Sequence, residues 1–119
     1  MAGYLRLFIR EARAKGATPM VCSLIPRNDW KYGRVRRSAD SWAGWARAVA
    51  EAEKAPFLDL NNRIADRYDE LGQAKVEPLF KTDHTHTSRE GAELNARIVV
   101  EALHAVPGSP LKDSFSRKK

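Results

Sequence analysis

The sequence predicts an α/β fold on a parallel sheet, with only about two of the sheet's strands in this chain. Two short apolar runs, 18–26 and 56–60, are separated by a helix-periodic stretch, which is the order of a βαβ unit. The first run, Thr18-Pro19-Met20-Val21-Cys22-Ser23-Leu24-Ile25-Pro26, is apolar almost throughout rather than alternating, as in a strand covered on both faces. Helix-periodic stretches also lie before and after the two runs.

Taken in order, residues 3–15 place Tyr4, Leu7, Phe8, Glu11 and Ala12 at helical spacing. Leu7, Phe8 and Ala12 are the expected buried stripe, and Gly16 is a natural stop. The first strand follows. Residues 27–37 are polar and read as irregular, with Asn28-Asp29 and Gly33 as turn formers. A second helix runs from about Ser38 to Lys54, where Trp42, Trp45 and Val49 recur as a core stripe. Pro56-Phe57-Leu58-Asp59-Leu60 is the second strand. Asn61 or Asn62 then caps a third helix, roughly 62–71, closed by Gly72. The segment 73–87 reads as irregular. Thr87-Ser88-Arg89-Glu90 fits a capping box for a last helix in which Ala92, Asn95, Ala96, Val99 and Leu103 recur, to about His104. Residues 1–106 form the domain, and 107–119 read as a disordered basic tail.

Two parallel strands among four amphipathic helices leave the helices too little to cover. The expectation is therefore the C-terminal part of a larger doubly wound domain, or a chain that completes its sheet by association. Exposed sheet edges make such a chain marginal on its own.

Composition excludes several classes. At 119 residues the chain has the size of one domain. One cysteine, Cys22, cannot form an internal disulfide, and in an apolar strand it is expected to be inert. No apolar run approaches the roughly 20 residues of a membrane span, so no membrane partner is expected. The opening Met1-Ala2-Gly3-Tyr4-Leu5-Arg6 lacks the order of a signal peptide. The net charge of +6 invites a polyanion partner. Its excess, however, is scattered over the first helix, the loop 26–37 and the tail, while residues 38–109 are net acidic. Nucleic-acid binders more often concentrate basic charge on one element, so no nucleic acid is expected. A small basic polyanion-binding or scaffolding module is the alternative function.

One segment concentrates chemistry: Thr82-Asp83-His84-Thr85-His86-Thr87, in a loop just before a helix, where α/β sheets carry their sites. Asp83 can orient His86 as a general base, fixing its tautomer and stabilising the imidazolium. Alternatively Asp83, His84 and His86 can ligate zinc. The remaining ligand candidates, His104 and Cys22, lie on a helix end and in a strand, which weakens that reading; no metal or cofactor is expected. A third possibility is a polar loop without a role.

Asp83-His84-Thr85-His86, followed by Thr87-Ser88-Arg89-Glu90-Gly91-Ala92 and an apolar helix, resembles the closing block of the SGNH (GDSL-type) hydrolases. There the D-x-x-H pair supplies the Asp and His of a Ser-His-Asp triad. Ala12-Arg13-Ala14-Lys15-Gly16-Ala17-Thr18-Pro19, Ile25-Pro26-Arg27 and Phe57-Leu58-Asp59-Leu60-Asn61 are similar to the rhamnogalacturonan acetylesterase branch. The resemblance covers about residues 3–104. It implies a C-terminal part of a three-layer, flavodoxin-like α/β/α domain, with Asp83 and His86 catalytic. It also implies an acetylated pectic carbohydrate as substrate. Arg27 and Trp30 are the candidate substrate-binding residues: Trp30 by stacking on a sugar ring, Arg27 (with Arg34) by meeting galacturonate carboxylates. Trp42 and Trp45 are assigned to the core.

The family's Gly-Asp-Ser block, which carries the nucleophile, and its oxyanion-hole Gly and Asn blocks have no match in this sequence. Asn28-Asp29 lacks the preceding glycine, and Ser23, Ser38, Ser41 and Ser88 sit in no nucleophile context. Loss of a triad nucleophile costs about 10⁶-fold in turnover. The chain alone is therefore expected to be inactive, with the N-terminal half of the domain as its missing partner. Members of this family are commonly secreted; the chain itself indicates no compartment.

Overall fold

The computed structural model describes residues 2–38, 41–111 and 113–114. Along the chain run α1 (Ala2–Ala14), β1 (Val21–Cys22), β2 (Trp30–Lys31), β3 (Arg34–Val35), α2 (Trp42–Ala52) and β4 (Phe57–Leu58). They are followed by α3 (Leu60–Leu71), α4 (Gln73–Val76), a 3₁₀ turn at Glu77–Leu79 and α5 (Arg89–His104).

β1 and β4 pair in parallel, with Val21 opposite Phe57 and Cys22 opposite Leu58. The Val21 amide donates to the Pro56 carbonyl at 2.9 Å and the Ser23 amide to that of Leu58 at 3.0 Å. Side chains alternate across a strand, so the two faces of this short sheet go to different clusters. Val21 and Phe57 join Ile9, Val49, Ala50 and Ala55 from α1, α2 and the loop before β4. Leu58 joins Ile64, Ala65, Tyr68, Val76, Phe80, Ile98 and Ala102, which knit α3, α4 and α5 together. Helices on both faces of a parallel pair form a partial α/β domain, as the sequence indicates.

Several local expectations are corrected. On α1 the inward stripe is Leu5, Ile9 and Ala12, and Ile9 is 2% exposed; Leu7 and Phe8 lie on the surface at 47% and 61%. The helix carries two apolar stripes, and spacing alone does not say which one meets α2. Cys22 is exposed rather than buried, although its strand partner Leu58 is buried. Its thiol pKa is still pushed up by partial burial. On α2 the buried residues are Ala43, Val49 and Ala50, with Trp45 half-buried; Trp42 is 54% exposed.

The loop 27–37 is not irregular. β2 and β3 form an antiparallel hairpin, with Trp30 opposite Val35. Tyr32 and Gly33 both take positive φ (54° and 75°) at its tip, the pattern of a tight primed turn. Two-residue strands carry no readable periodicity, and Gly33 marks only the turn. The hairpin is fastened to α3 by Asp69, which accepts the Val35 amide at 2.8 Å and pairs with Arg34 and Arg37.

The cap of α3 is Asp59, whose carboxylate accepts the Asn62 amide at 3.1 Å. Asn61 instead is buried. Its side chain donates to the Leu24 carbonyl and accepts the Ser38 amide, and its backbone amide donates to Ser23 Oγ at 2.8 Å. The segment 73–79 is helical. α5 is capped one residue later than the sequence indicates, by Ser88, whose hydroxyl accepts the Gly91 amide at 3.2 Å. Its buried face is Gly91, Asn95, Ile98 and Ala102, so Ala92 and Ala96 face solvent. Of the tail, Lys112 and 115–119 lie outside the described residues; within reach, Ser109 is buried and accepts the Leu111 amide at 3.3 Å. Among the described residues no helix is long and apolar enough to cross a membrane.

Candidate active site

The segment 80–87 is a loop pinched at its base. Phe80 and Thr87 form an antiparallel bridge, the Lys81 amide donates to the His86 carbonyl at 3.0 Å, and the Ser88 amide donates to the Leu79 carbonyl at 2.8 Å. The close approach at the base requires a glycine. A Cβ placed on Gly91 falls 2.1 Å from the Leu79 carbonyl oxygen and 3.1 Å from Thr87 Cβ. α5 can therefore abut the 3₁₀ turn only because residue 91 has no side chain.

Inside the loop Asp83 folds back on the chain that follows it. Its Oδ1 accepts the backbone amides of Thr85 at 2.8 Å and His86 at 2.6 Å, and its Oδ2 lies 2.6 Å from His86 Nδ1. This is an Asx-type turn in which one carboxylate satisfies two amides and a ring. The His86 amide, then its ring, then the Thr85 amide hold the Asp83 pKa well below the usual carboxylate range. An ionised carboxylate only accepts, so Nδ1 carries the hydrogen, and whenever the ring is neutral its lone pair is on Nε2. The His86 side chain is 77% exposed, and among the described residues no hydroxyl is hydrogen-bonded to it. What this pair can do chemically is take a proton at Nε2 while Asp83 stabilises the imidazolium.

The serines have other partners. Ser23 Oγ receives the Asn61 amide, Ser88 caps α5, and Ser41 Oγ donates to the Ser38 carbonyl at 3.3 Å. Ser38 is the exception: its Oγ is buried and has no hydrogen-bond partner among the described residues. His84 is exposed, and among the described residues no three metal-ligating side chains converge. Trp30 is half-buried against the α3–α5 cluster, and its Nε1 donates to Asn28 Oδ1 at 2.6 Å. Arg27 is exposed and has no ion pair among the described residues. Most of the neighbouring basic charge is neutralised internally: Arg36 by Asp29, Arg37 by Asp66 and Asp69, and Arg34 by Asp69.

Asn28 is a residue that sequence reasoning treats only as a turn former. Its backbone amide donates to the His84 carbonyl at 2.8 Å, and its side chain donates to Glu77 at 2.9 Å while accepting from Trp30. It thus ties the segment after β1 to the middle of the Asp83–His86 loop. No short-range pattern announces a contact across more than fifty residues.

No family model matches the chain. Comparison with curated proteins finds 28% identity over 103 residues to a rhamnogalacturonan acetylesterase of Emericella nidulans, covering 87% of this chain and 42% of that protein. The rhamnogalacturonan acetylesterase RhgT of Bacillus subtilis is 28% identical over 125 residues, covering 92% of this chain and 53% of its own length. YesY of the same organism, a probable rhamnogalacturonan acetylesterase, is 26% identical over 98% of this chain and 55% of itself. Among solved structures, the YXIM protein of Bacillus subtilis superposes with a TM-score of 0.78 at 28% identity, over 86% of this chain and 30% of that one. The chain spans about half the length of the curated relatives it matches. It resembles a C-terminal portion of an SGNH-hydrolase-like α/β domain.

Proposed function

We propose that this chain carries the acid–base half of a serine ester hydrolase that deacetylates rhamnogalacturonan-type carbohydrate. His86 is the general base and Asp83 its orienting partner. The observation that carries this is the 2.6 Å contact between Asp83 Oδ2 and His86 Nδ1, which leaves Nε2 as the ring nitrogen outside the pair on a largely exposed side chain. The similarity to rhamnogalacturonan acetylesterases over most of the chain supplies the substrate class.

The reaction needs a nucleophile and oxyanion donors that we place in a segment outside this sequence. A serine Oγ bonds to the acetyl carbon as its proton passes to His86 Nε2. The tetrahedral oxyanion collapses, the bond to the sugar oxygen breaks, and that oxygen takes the proton from Nε2. Water then gives its proton to Nε2 and attacks the acetyl-enzyme, releasing acetate and restoring the serine. Asp83 stays ionised throughout, so it balances the imidazolium charge at each transfer. Alone, the chain is inactive.

The test mixes the purified chain with the N-terminal half of the Emericella or RhgT acetylesterase and measures acetate release from acetylated rhamnogalacturonan. Release is expected only from the mixture, and His86→Ala should lower it by about 10⁴-fold or more. Acetate release by the chain alone at a rate indifferent to His86→Ala refutes the proposal.

A further inference from the structure

The loop that carries Asp83 and His86 has little to hold it to the rest of the molecule. Residues 81–86 are all exposed, so no apolar anchor sinks into the core. Its base is closed by its own neighbours in sequence, and the Asp83 turn lies inside it. Among the described residues, one hydrogen bond reaches 81–86 from a distant segment, that of the Asn28 amide to the His84 carbonyl at 2.8 Å. We propose that Asn28 is the positioning residue of the Asp83–His86 pair, and that Glu77 and Trp30 clamp its side chain so that its amide meets the loop at a fixed point. The proposal deepens the esterase reading above and rests on it for the reaction that the pair serves.

Both polar atoms of the Asn28 side chain are in use. Nδ2 donates to Glu77 Oε2 at 2.9 Å, and Oδ1 accepts the Trp30 indole N–H at 2.6 Å. Glu77 opens the 3₁₀ turn whose Leu79 carbonyl receives the Ser88 amide at the base of the loop. Trp30 packs against the α3–α5 cluster and lies opposite Val35, which Asp69 fastens to α3. The Asn28 side chain therefore grips the chain entering the loop and a braced hairpin, while its amide grips the middle of the loop. The task suits an amide, which donates to a carboxylate and accepts from an indole at once; an ionised carboxylate of the same shape only accepts.

The Asp83 turn builds the pair locally, but a unit built on an exposed loop is free to swing as a whole about its pinched base. Where a general base stands matters as much as its construction, since a displacement of about 1 Å costs about 10²-fold in rate. Asn28 removes that freedom by fixing the carbonyl that lies between Asp83 and His86.

The experiment reverses the clamp. Asn28→Asp keeps the acceptor for Trp30, removes the donor and sets two carboxylates against each other. Adding Glu77→Gln returns the bond with its polarity exchanged. Residual dipolar couplings of the Thr85 and His86 amides, measured in the full chain against those of α5, read the orientation of the loop. The Asp83 carboxyl titration reads whether the pair is still built. Asn28→Asp is expected to change the loop couplings, leave those of α5 unchanged and keep Asp83 titrating below the ordinary carboxylate value. The double exchange is expected to restore the loop couplings. Trp30→Phe loses only the indole donor; it should move the couplings in the same direction, and it carries the test if Asn28→Asp fails to fold. In the mixing assay Asn28→Asp should lower kcat by about 10²-fold, with KM and the midpoint of the pH profile unchanged.

Unchanged loop couplings in the folded single variants overturn the proposal, as does a double exchange that restores nothing. An Asp83 carboxyl returned to its ordinary value also overturns it, because Asn28 then builds the pair rather than aims it. Moved couplings with no acetate release from the unaltered mixture remove the esterase and keep the positioning role. Release that depends on His86, with unmoved couplings, does the reverse.

Discussion

Gly91→Ala tests the packing that shapes the Asp83–His86 loop. A Cβ at residue 91 would sit 2.1 Å from the Leu79 carbonyl oxygen, more than an ångström short of ordinary contact. The neighbour is backbone, so no side-chain rotation relieves the clash, and α5 must separate from the 3₁₀ turn. Overpacking of this kind costs about 1–3 kcal/mol. Separation also stretches the 2.8 Å bond from the Ser88 amide to Leu79, worth about 1 kcal/mol. Alanine's better helix propensity returns about 1 kcal/mol. The net expectation is a loss of about 2 kcal/mol, read in urea unfolding as a midpoint lower by about 1 M. The same displacement should broaden the His86 Nδ1–H resonance, since Thr87 and Phe80 close the base of its loop. An unfolding midpoint equal to or above that of the parent chain refutes the close-approach argument.

Three further outcomes follow from the geometry. The Asp83 carboxyl should remain ionised below the ordinary value of about 3.9 when titrated by NMR. Because its folded-state pKa is depressed, what it contributes to the loop is present above that value and fades as pH falls towards the folded-state one; a transition at the ordinary value contradicts the turn. Tyr68→Phe removes the donor of the buried 2.9 Å bond to Asn95 Oδ1 and should cost about 1–3 kcal/mol in chemical denaturation; an unchanged midpoint means Asn95 finds another donor. Cys22 should react with a thiol reagent without unfolding, because it is exposed, but slowly at neutral pH and faster in alkali, because its pKa is raised; protection until global unfolding contradicts its placement.

The pattern of elements was legible because each long helix carries its own periodicity and both parallel strands lie in short, nearly continuous apolar runs. Asp83 and His86 were legible for a related reason: their contact is local, so spacing alone brings carboxylate and ring together. What was not legible depends on partners distant in the chain. Leu7 and Phe8 match helical spacing as well as Leu5 and Ile9 do, and only the position of α2 decides between them. Trp42 reads as core by type, yet the chain places it at the rim of a cavity. The hairpin at 30–35 is too short for a pattern, and its anchor, Asp69, lies over thirty residues away. Asn28 and Asn61 look like turn and cap residues, yet the Asn61 side chain satisfies backbone groups of Leu24 and Ser38, and that of Asn28 joins Glu77 to Trp30.

The closure of Asp83 on His86 within four residues makes the pair a cassette. Whether Oδ2 meets Nδ1 depends on a loop so short that its closure entropy is small; distant contacts such as Asn28 to His84 decide only where the finished pair points. A serine arriving from any chain therefore meets a base that is already assembled. Supplied on a separate molecule, that serine is present only at its bulk concentration, whereas covalent tethering by a short flexible linker provides an effective concentration on the order of millimolar. On the proposed function, chain continuity, rather than the construction of the Asp83–His86 pair, sets how much competent enzyme exists.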